Sequence, residues 1–200
     1  QSNIDATGTD IAGQELESVT LTVTRDGNPV AGTGDFKFSA INGEYIRKLT
    51  PEKFYEYAEP YIKQAVKRED VDLTNIAALL QNRTEVFNEI PEQVDFIDEM
   101  PDYDLELYTN KKMKTNPDTA LDALEKVLPV LETIDEKDWS FDNIHDKLFE
   151  LIAQMEVKNG YILWPVRVAI SGKQFTPGGA FEIAEIIGKA DTIARMKVSL

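Results

Sequence analysis

Residues 160–196, GYILWPVRVAISGKQFTPGGAFEIAEIIGKADTIARM, decide the fold expected for this chain. Apolar residues surround one arginine, Arg167, and Ser171-Gly172 then ends the apolar run. Glycine after such a run supplies a left-handed C-cap, and a threonine before proline, as in Thr176-Pro177, is typical of a helix N-terminus. The stretch therefore predicts two helices joined by a glycine-containing turn.

Two arginines are the candidate ligand-binding residues. Arg167 lies among apolar side chains beside glycine-rich backbone, a setting that suits an anionic ligand or a planar base. Arg83 follows the run AALLQN, near a predicted helix end. The alternative is that both guanidinium groups are solvated or paired with carboxylates such as those of Glu85, Glu182 and Glu185. The residues of the hairpin, taken alone, favour this alternative.

The chain is strongly acidic, with a net charge of −15 over 200 residues. This charge argues against a general nucleic-acid coat protein, and no DNA partner is expected. The charge is unevenly distributed, because the residues from Val157 onward carry +3 and the preceding part carries −18. Such asymmetry allows one basic face on an acidic body.

Several classes of protein are excluded by composition. There is no cysteine and the only histidine is His145, which removes disulfides, thiol catalysis and most metal sites. No phosphate-binding glycine loop and no defensible acid–base pair is present, so neither catalytic residues nor a cofactor is expected in this chain. No run reaches the roughly 20 apolar residues of a membrane span. We expect a cytoplasmic protein without a membrane partner.

The N-terminal part differs in composition from the rest. Residues 1–3 resemble the scar of an expression tag and are left out of the fold prediction. Residues 4–41 are rich in Thr, Gly and Asp, and residues 19–24 alternate with period two before Asp26-Gly27. This pattern predicts a small β-hairpin. The sequence leaves the origin of residues 4–41 open.

From Thr50 onward the pattern is helical, so the chain is predicted to be mainly α. Thr50 is an N-cap residue, followed by proline at the first helical position. Pro60 is expected to kink or divide its helix and Pro129 to bend its own, and a subdomain boundary is expected near Pro101. Besides the 160–196 hairpin, helices are predicted over about 51–65, 73–80, 90–97, 117–134, 143–155 and, as a last short one, 191–197.

Three stretches, in order, resemble the C-terminal end of bacterial glutamyl-tRNA synthetases. They are residues 42–47 (NGEYIR), residues 79–86 (LLQNRTEV) followed by Pro91-Glu92, and residues 164–189, which begin WPVRVAISG. The resemblance covers roughly residues 42–200. It implies a two-part helical anticodon-binding cage, with residues 42–100 as the first subdomain and 101–200 as the second.

The resemblance also implies a function and its residues. In that family this region receives the anticodon loop of tRNA(Glu), which a catalytic domain of the same polypeptide charges with glutamate using ATP and magnesium. The catalytic signature loops of the family are absent here. Arg83 falls near an arginine that in some members reads an anticodon base. The RNA-binding residues implied are Arg83, Arg167, Thr176, Pro177, Gly179, Ala180 and Phe181.

Other functions stay open. The net charge also suits an acidic helical protein-interaction module, derived from such a domain, that has lost its RNA contacts. The related helical cage of class I lysyl-tRNA synthetases is an alternative within the resemblance. An autonomous enzyme would need a catalytic constellation that the sequence does not contain.

Overall fold

The chain is mainly helical, as predicted. The computed structural model describes Thr24–Arg25, Asn28–Pro29, Gly43 and residues 45–200. Residues 45–48 are helical, and short 3₁₀ turns lie at Phe87–Glu89, Asp95–Ile97, Leu105–Tyr108 and Glu136–Asp138. The α-helices after residue 50 are α1 (Pro51–Ala65), α2 (Leu73–Gln81), α3 (Ile90–Val94), α4 (Pro117–Glu132), α5 (Phe141–Gln154), α6 (Asn159–Ser171) and α7 (Ala180–Val198).

Four of these helices begin at a side-chain N-cap. Thr50, Asp72, Asn116 and Ser140 each accept a hydrogen bond from a backbone N–H two or three residues further on, at 2.8–3.4 Å. These bonds satisfy N–H groups that have no partner within the helix. The cap of Thr50 was predicted, whereas the cap at Ser140 starts α5 two residues earlier than expected.

Neither helical proline divides its helix. Pro60 lies inside α1 and Pro129 inside α4, and both helices continue past them. Proline removes one backbone hydrogen bond and clashes with the preceding turn, at a cost of about 3 kcal/mol. In α1, apolar residues on both sides of Pro60 are buried, such as Phe54 and Ile62. We infer that this packing keeps the chain helical. The division considered for Pro60 does not occur, while a bend at either proline stays a prediction.

The helices pack in two groups. In the first, α1 contacts both α2 and α3; in the second, α4, α5, α6 and α7 contact one another. Buried apolar side chains form the core of both groups, including Phe54, Ile62 and Leu80 in the first and Leu131 and Leu148 in the second. The loop between α6 and α7 belongs to the second group.

Two arginines connect the groups. Arg195 of α7 donates hydrogen bonds to the carbonyl oxygens of Phe96 (2.7 Å), Ile97 (2.9 Å) and Ile170 (2.9 Å). Arg68, which follows α1, forms an ion pair with Asp191 of α7 at 2.5 Å. Burial is the main cause of the lowered pKa of Arg195. These contacts join the 3₁₀ turn after α3 to the last two helices.

Three of the lysines after Val157 contact earlier parts of the chain. Lys173 pairs with Asp95 at 2.5 Å and Lys197 pairs with Glu132 at 2.7 Å, both carboxylates of the acidic part of the chain. Lys189 donates to the backbone carbonyls of Glu132, the last residue of α4, and of Ile134. Part of the positive charge near the C-terminus is therefore used in contacts within the chain, and one basic face stays a prediction.

Little of the N-terminal part is described. Thr24 pairs with Pro29 and Arg25 with Asn28 in an antiparallel register. The rest of the predicted hairpin, and residues 1–3, lie outside the described residues. Among the helices that the structure describes, none combines the length and the apolar character needed to cross a membrane.

Candidate nucleic-acid interface

The loop between α6 and α7 starts at a left-handed glycine, as predicted. Gly172 has φ 63°, and its N–H donates to the carbonyl of Val168 at 2.8 Å, which closes α6. Glycine is favoured at this position because a side chain in the left-handed region costs about 1–2 kcal/mol. A Cβ on Gly172 would also lie 3.1 Å from the carbonyl oxygen of Pro101.

The next helix starts later than expected. Thr176-Pro177 was predicted to open it, but α7 begins at Ala180, and the Gly179 N–H donates to the carboxylate of Glu182 at 3.1 Å. The hydroxyl of Thr176 instead donates to the carbonyl of Gly178 at 2.7 Å. The threonine therefore closes a turn within the loop.

The last helical segment has two parts, in agreement with the prediction of a hairpin helix followed by a short helix around residues 191–197. The element α7, Ala180–Val198, consists of two helical stretches separated at Gly188. Gly188 interrupts it with φ 83° and ψ 167°, a conformation essentially restricted to glycine. The backbone angles of Gly188 thus place the end of the hairpin helix just before the predicted short helix.

Thr176 is where the two predicted arginines meet. Arg83, which follows α2, donates from Nη1 to the Thr176 carbonyl oxygen at 3.2 Å. Arg167 of α6 donates from Nη1 to the Thr176 hydroxyl at 3.1 Å and from Nη2 to the carbonyl of Gln174 at 2.7 Å. The structure thus brings together one arginine from each group of helices.

Arg167 is held in place by an aromatic ring. Its guanidinium lies 4.5 Å from the centre of the Trp164 ring, within the range of a cation–π contact. Trp164 is itself fixed by a hydrogen bond from Nε1 to the carbonyl of Leu107 at 3.1 Å. The pKa of Arg167 is lowered, mainly by burial and then by the positive charge of Arg83. The two cations are therefore close enough to repel each other.

In the described part of the chain, neither Arg83 nor Arg167 has a carboxylate oxygen within 4.0 Å. The carboxylates of Glu182 and Glu185 instead accept hydrogen bonds from the N–H groups of Gly179 and Phe141. Pairing of these arginines with carboxylates is therefore not found within the part of the chain that the structure describes, which includes Glu85, Glu182 and Glu185. Arg83 is exposed and Arg167 is half-buried, so Arg83 offers more of its N–H groups to a ligand.

The other predicted residues are less accessible. Thr176 and Ala180 are each 5% exposed, Pro177 is buried and Gly179 is half-buried. Phe181 is 9% exposed. Its ring packs against aromatic rings of α5, with centroids 5.2–6.1 Å away, contributed by Phe141, His145 and Phe149. The side chain of Phe181 thus serves mainly to dock α7 on α5.

One exposed aromatic residue in this loop was missed by the sequence analysis. Phe175 is 80% exposed, although it lies between the two residues that Arg167 binds, Gln174 and Thr176. The sequence does contain a signal for it. An aromatic residue in the turn between two helices, outside the apolar pattern of either helix, has no evident place in the core and is a candidate for ligand contact.

The Thr176 hydroxyl gives a first testable prediction. We expect Thr176→Val to lower the free energy of unfolding by about 1 kcal/mol, because the hydroxyl both donates to Gly178 and accepts from Arg167. Urea denaturation followed by circular dichroism measures this change. Thr133→Val is the matched control, since the exposed Thr133 makes one local hydrogen bond at the end of α4. Equal losses in the two variants would contradict the prediction.

Among the described residues, no group of three or more acidic or histidine side chains is arranged to hold a metal ion. The groups that the loop presents are the guanidinium groups of Arg83 and Arg167, backbone groups and the exposed ring of Phe175.

Comparisons with known proteins agree with the resemblance seen in the sequence. A family model described as an anticodon binding domain matches residues 53–200. The glutamate–tRNA ligase of Clostridium tetani is 55% identical over 164 residues, which are 82% of this chain and 33% of that protein. The ligase of Clostridium acetobutylicum is 51% identical over 164 residues, with the same coverage. The chain therefore spans about a third of the length of these relatives.

Solved structures show the same fold. A glutamate tRNA ligase from Elizabethkingia meningosepticum superposes with a TM-score of 0.66 at 20% identity, covering 80% of this chain and 31% of that chain. The glutamate-tRNA synthetase of Elizabethkingia anophelis gives 0.63 at 18% identity, covering 80% and 30%. The family match extends over most of the chain, from α1 through α7 and the loop where Arg83 and Arg167 meet. This chain belongs to the anticodon-binding domain family of the glutamate–tRNA ligases.

Proposed function

We propose that this chain recognises the anticodon loop of tRNA(Glu) within a glutamate–tRNA ligase acting in the cytoplasm. Family membership supports a role in tRNA recognition, and the identity of about 50–55% to glutamate–tRNA ligases supports glutamate as the amino acid. The observation that carries the proposal is the convergence of Arg83 and Arg167 on Thr176 without a carboxylate partner among the described residues.

The electrostatics of this convergence favour an electronegative ligand. Two guanidinium groups held near one residue repel each other, and within the described part of the chain no carboxylate oxygen lies within 4.0 Å of either group. Unpaired bases in an RNA loop present carbonyl oxygens and ring nitrogens on their edges, which accept hydrogen bonds from a guanidinium. A base edge next to Arg83 would therefore stabilise the arrangement.

The predicted residues then take different roles. Arg83, which is exposed, contacts a base edge, while Arg167 uses at least two of its N–H groups to hold the loop. The backbone of Thr176, Pro177 and Gly179, with the side chains of Ala180 and Phe181, forms the wall beside the base. Residues 42–100 and 101–200 act as two subdomains, each of which contributes one arginine.

The acidic body contributes to specificity. Nonspecific RNA binding depends on neutralising phosphates, and the lysines near the C-terminus are already used, for example in the Lys173–Asp95 and Lys197–Glu132 pairs. Binding would therefore depend on the bases of the loop. ATP and magnesium belong to the catalytic domain of the same ligase, which we propose as the partner that glutamylates the bound tRNA.

The proposal is tested by fluorescence titration with anticodon stem-loops. We expect the glutamate anticodon stem-loop to bind more tightly than one with an unrelated anticodon. Arg83→Ala should weaken this binding about tenfold, or about 1.4 kcal/mol. Lys126→Ala is the control, because it also removes one positive charge, from an ion pair with Asp122 on α4.

Two results would contradict the proposal. One is equal affinity for the two anticodons, and the other is an equal effect of Arg83→Ala and Lys126→Ala. Absence of salt-dependent RNA binding, with retention of a protein partner after nuclease treatment, would favour the acidic protein-interaction module.

A further inference from the structure

We propose that Phe175 is a base-stacking residue, whose ring supports an unpaired base of the bound anticodon loop, and that Arg167 is the positioning residue that holds this ring in solvent. This inference deepens the proposed function and rests on it. It assigns the main aromatic contact to the loop before α7, in place of Phe181 at the start of that helix.

Phe175 is the most exposed of the phenylalanines that the structure describes. Its side chain is 80% exposed, whereas Phe54, Phe87 and Phe96 are each at most 2% exposed. Apolar surface is normally removed from water on folding, and burial of a large aromatic ring contributes more to folding stability than burial of a smaller side chain. Leaving this ring in solvent forgoes a stabilisation that the chain obtains from other phenylalanines.

The ring stays exposed because the backbone on both sides of it is fixed. Arg167 binds the carbonyl of Gln174 at 2.7 Å and the hydroxyl of Thr176 at 3.1 Å, the residues immediately before and after Phe175. Arg167 in turn lies on the ring of Trp164. Because both neighbours of Phe175 are held by one half-buried guanidinium, the ring cannot reach the core without breaking these bonds.

The surroundings favour a nucleobase as the occupant. The ring offers a flat apolar face, and the adjacent guanidinium groups of Arg83 and Arg167 offer hydrogen-bond donors and positive charge. A ligand that matches both must combine a flat π-face with electronegative edges. An unpaired base has a flat π-face and electronegative edges in one group. An apolar protein side chain would leave the positive charges of Arg83 and Arg167 without a partner.

Phe181 is less suited to this role. It is 9% exposed and its ring is in contact with the aromatic rings of Phe141, His145 and Phe149. A base could stack on its face only if these contacts with α5 were opened. Phe175 needs no such rearrangement, because most of its ring already faces solvent.

The test uses the full chain and anticodon stem-loops of tRNA(Glu) that carry 2-aminopurine at single loop positions. Stacking on an aromatic ring changes the fluorescence of this base analogue. We expect a fluorescence change at one loop position with the unmodified protein. Phe175→Leu should abolish that change and weaken binding about tenfold, since leucine keeps apolar bulk without an aromatic face. Phe175→Trp should retain both the fluorescence change and the affinity of the unmodified protein.

Two further variants make the test specific. Tyr45→Leu removes another exposed aromatic ring, 60% exposed and outside the loop, and should leave affinity and fluorescence unchanged. Arg167→Lys keeps the positive charge but loses the two-point hold on the loop. It should reduce the 2-aminopurine signal at the same position, with an unchanged salt dependence of binding.

The outcomes separate this inference from the proposed function. If the stem-loop binds and Phe175→Leu leaves affinity and fluorescence unchanged, the role of Phe175 is wrong and the proposed function stands. If the unmodified chain binds no anticodon stem-loop, the proposed function is wrong, and the stacking role of Phe175 is wrong as well. A protein partner lost on Phe175→Leu, without RNA binding, would overturn both.

Discussion

Replacing Arg195 by methionine is expected to lower the free energy of unfolding by about 3 kcal/mol. The guanidinium donates to three backbone carbonyls, those of Phe96, Ile97 and Ile170, at 2.7–2.9 Å. Methionine keeps much of the apolar stem but cannot donate, so these carbonyls lose a charge-assisted hydrogen bond each. Because they belong to both groups of helices, the loss also weakens the contact between the groups.

Urea denaturation at neutral pH measures this effect, and Arg195→Lys is the matched control. Lysine keeps the positive charge but lacks the planar fork that reaches several carbonyls at once, so we expect an intermediate loss of stability. A loss of less than about 1 kcal/mol in Arg195→Met would show that water replaces the guanidinium at these carbonyls. That result would contradict the role assigned to Arg195.

Replacing Gly172 by alanine is expected to cost about 2 kcal/mol of folding stability. With φ 63°, Gly172 is in the left-handed region, where a Cβ is strained. The new Cβ would also meet the ring and the carbonyl oxygen of Pro101 at 3.0–3.1 Å, and the ring of Tyr103 at 3.0 Å. Because Gly172 opens the loop that carries Thr176, we also expect weaker binding of the anticodon stem-loop.

Gly172→Asn separates the two causes of this loss. Asparagine tolerates the left-handed conformation better than alanine but introduces the same Cβ. A smaller loss in the asparagine variant, seen by thermal or urea denaturation, would identify backbone strain as the main cause. Equal losses would identify the contact with Pro101 instead. Stability equal to that of the unmodified chain in both variants would contradict the prediction.

Local interactions explain what could be predicted from the sequence. The cap at Thr50, the end of α6 at Gly172 and the mainly helical character depend on residues within one or two turns of each other. The resemblance to glutamyl-tRNA synthetases was likewise readable from short motifs, and the family match over residues 53–200 confirms it.

Other features of the chain depend on residues far apart in the sequence. The helix α1 continues through Pro60, where the local rule predicts either a kink or a break. The basic residues near the C-terminus, such as Lys173, paired with earlier carboxylates, which a charge count cannot show. The burial of Phe181 and the exposure of Phe175 likewise follow from packing, which their positions in the sequence do not show.

By itself, the sequence determined the helices, the closing glycine of α6 and the family, because capping, periodicity and short motifs act locally. Only the tertiary structure decided that Arg83 and Arg167 meet at Thr176. It also decided that Phe175 stays in solvent between two bonds to Arg167. The physical reason is that these arrangements depend on how helices from two groups pack, and a side chain's burial and partners are set by that packing.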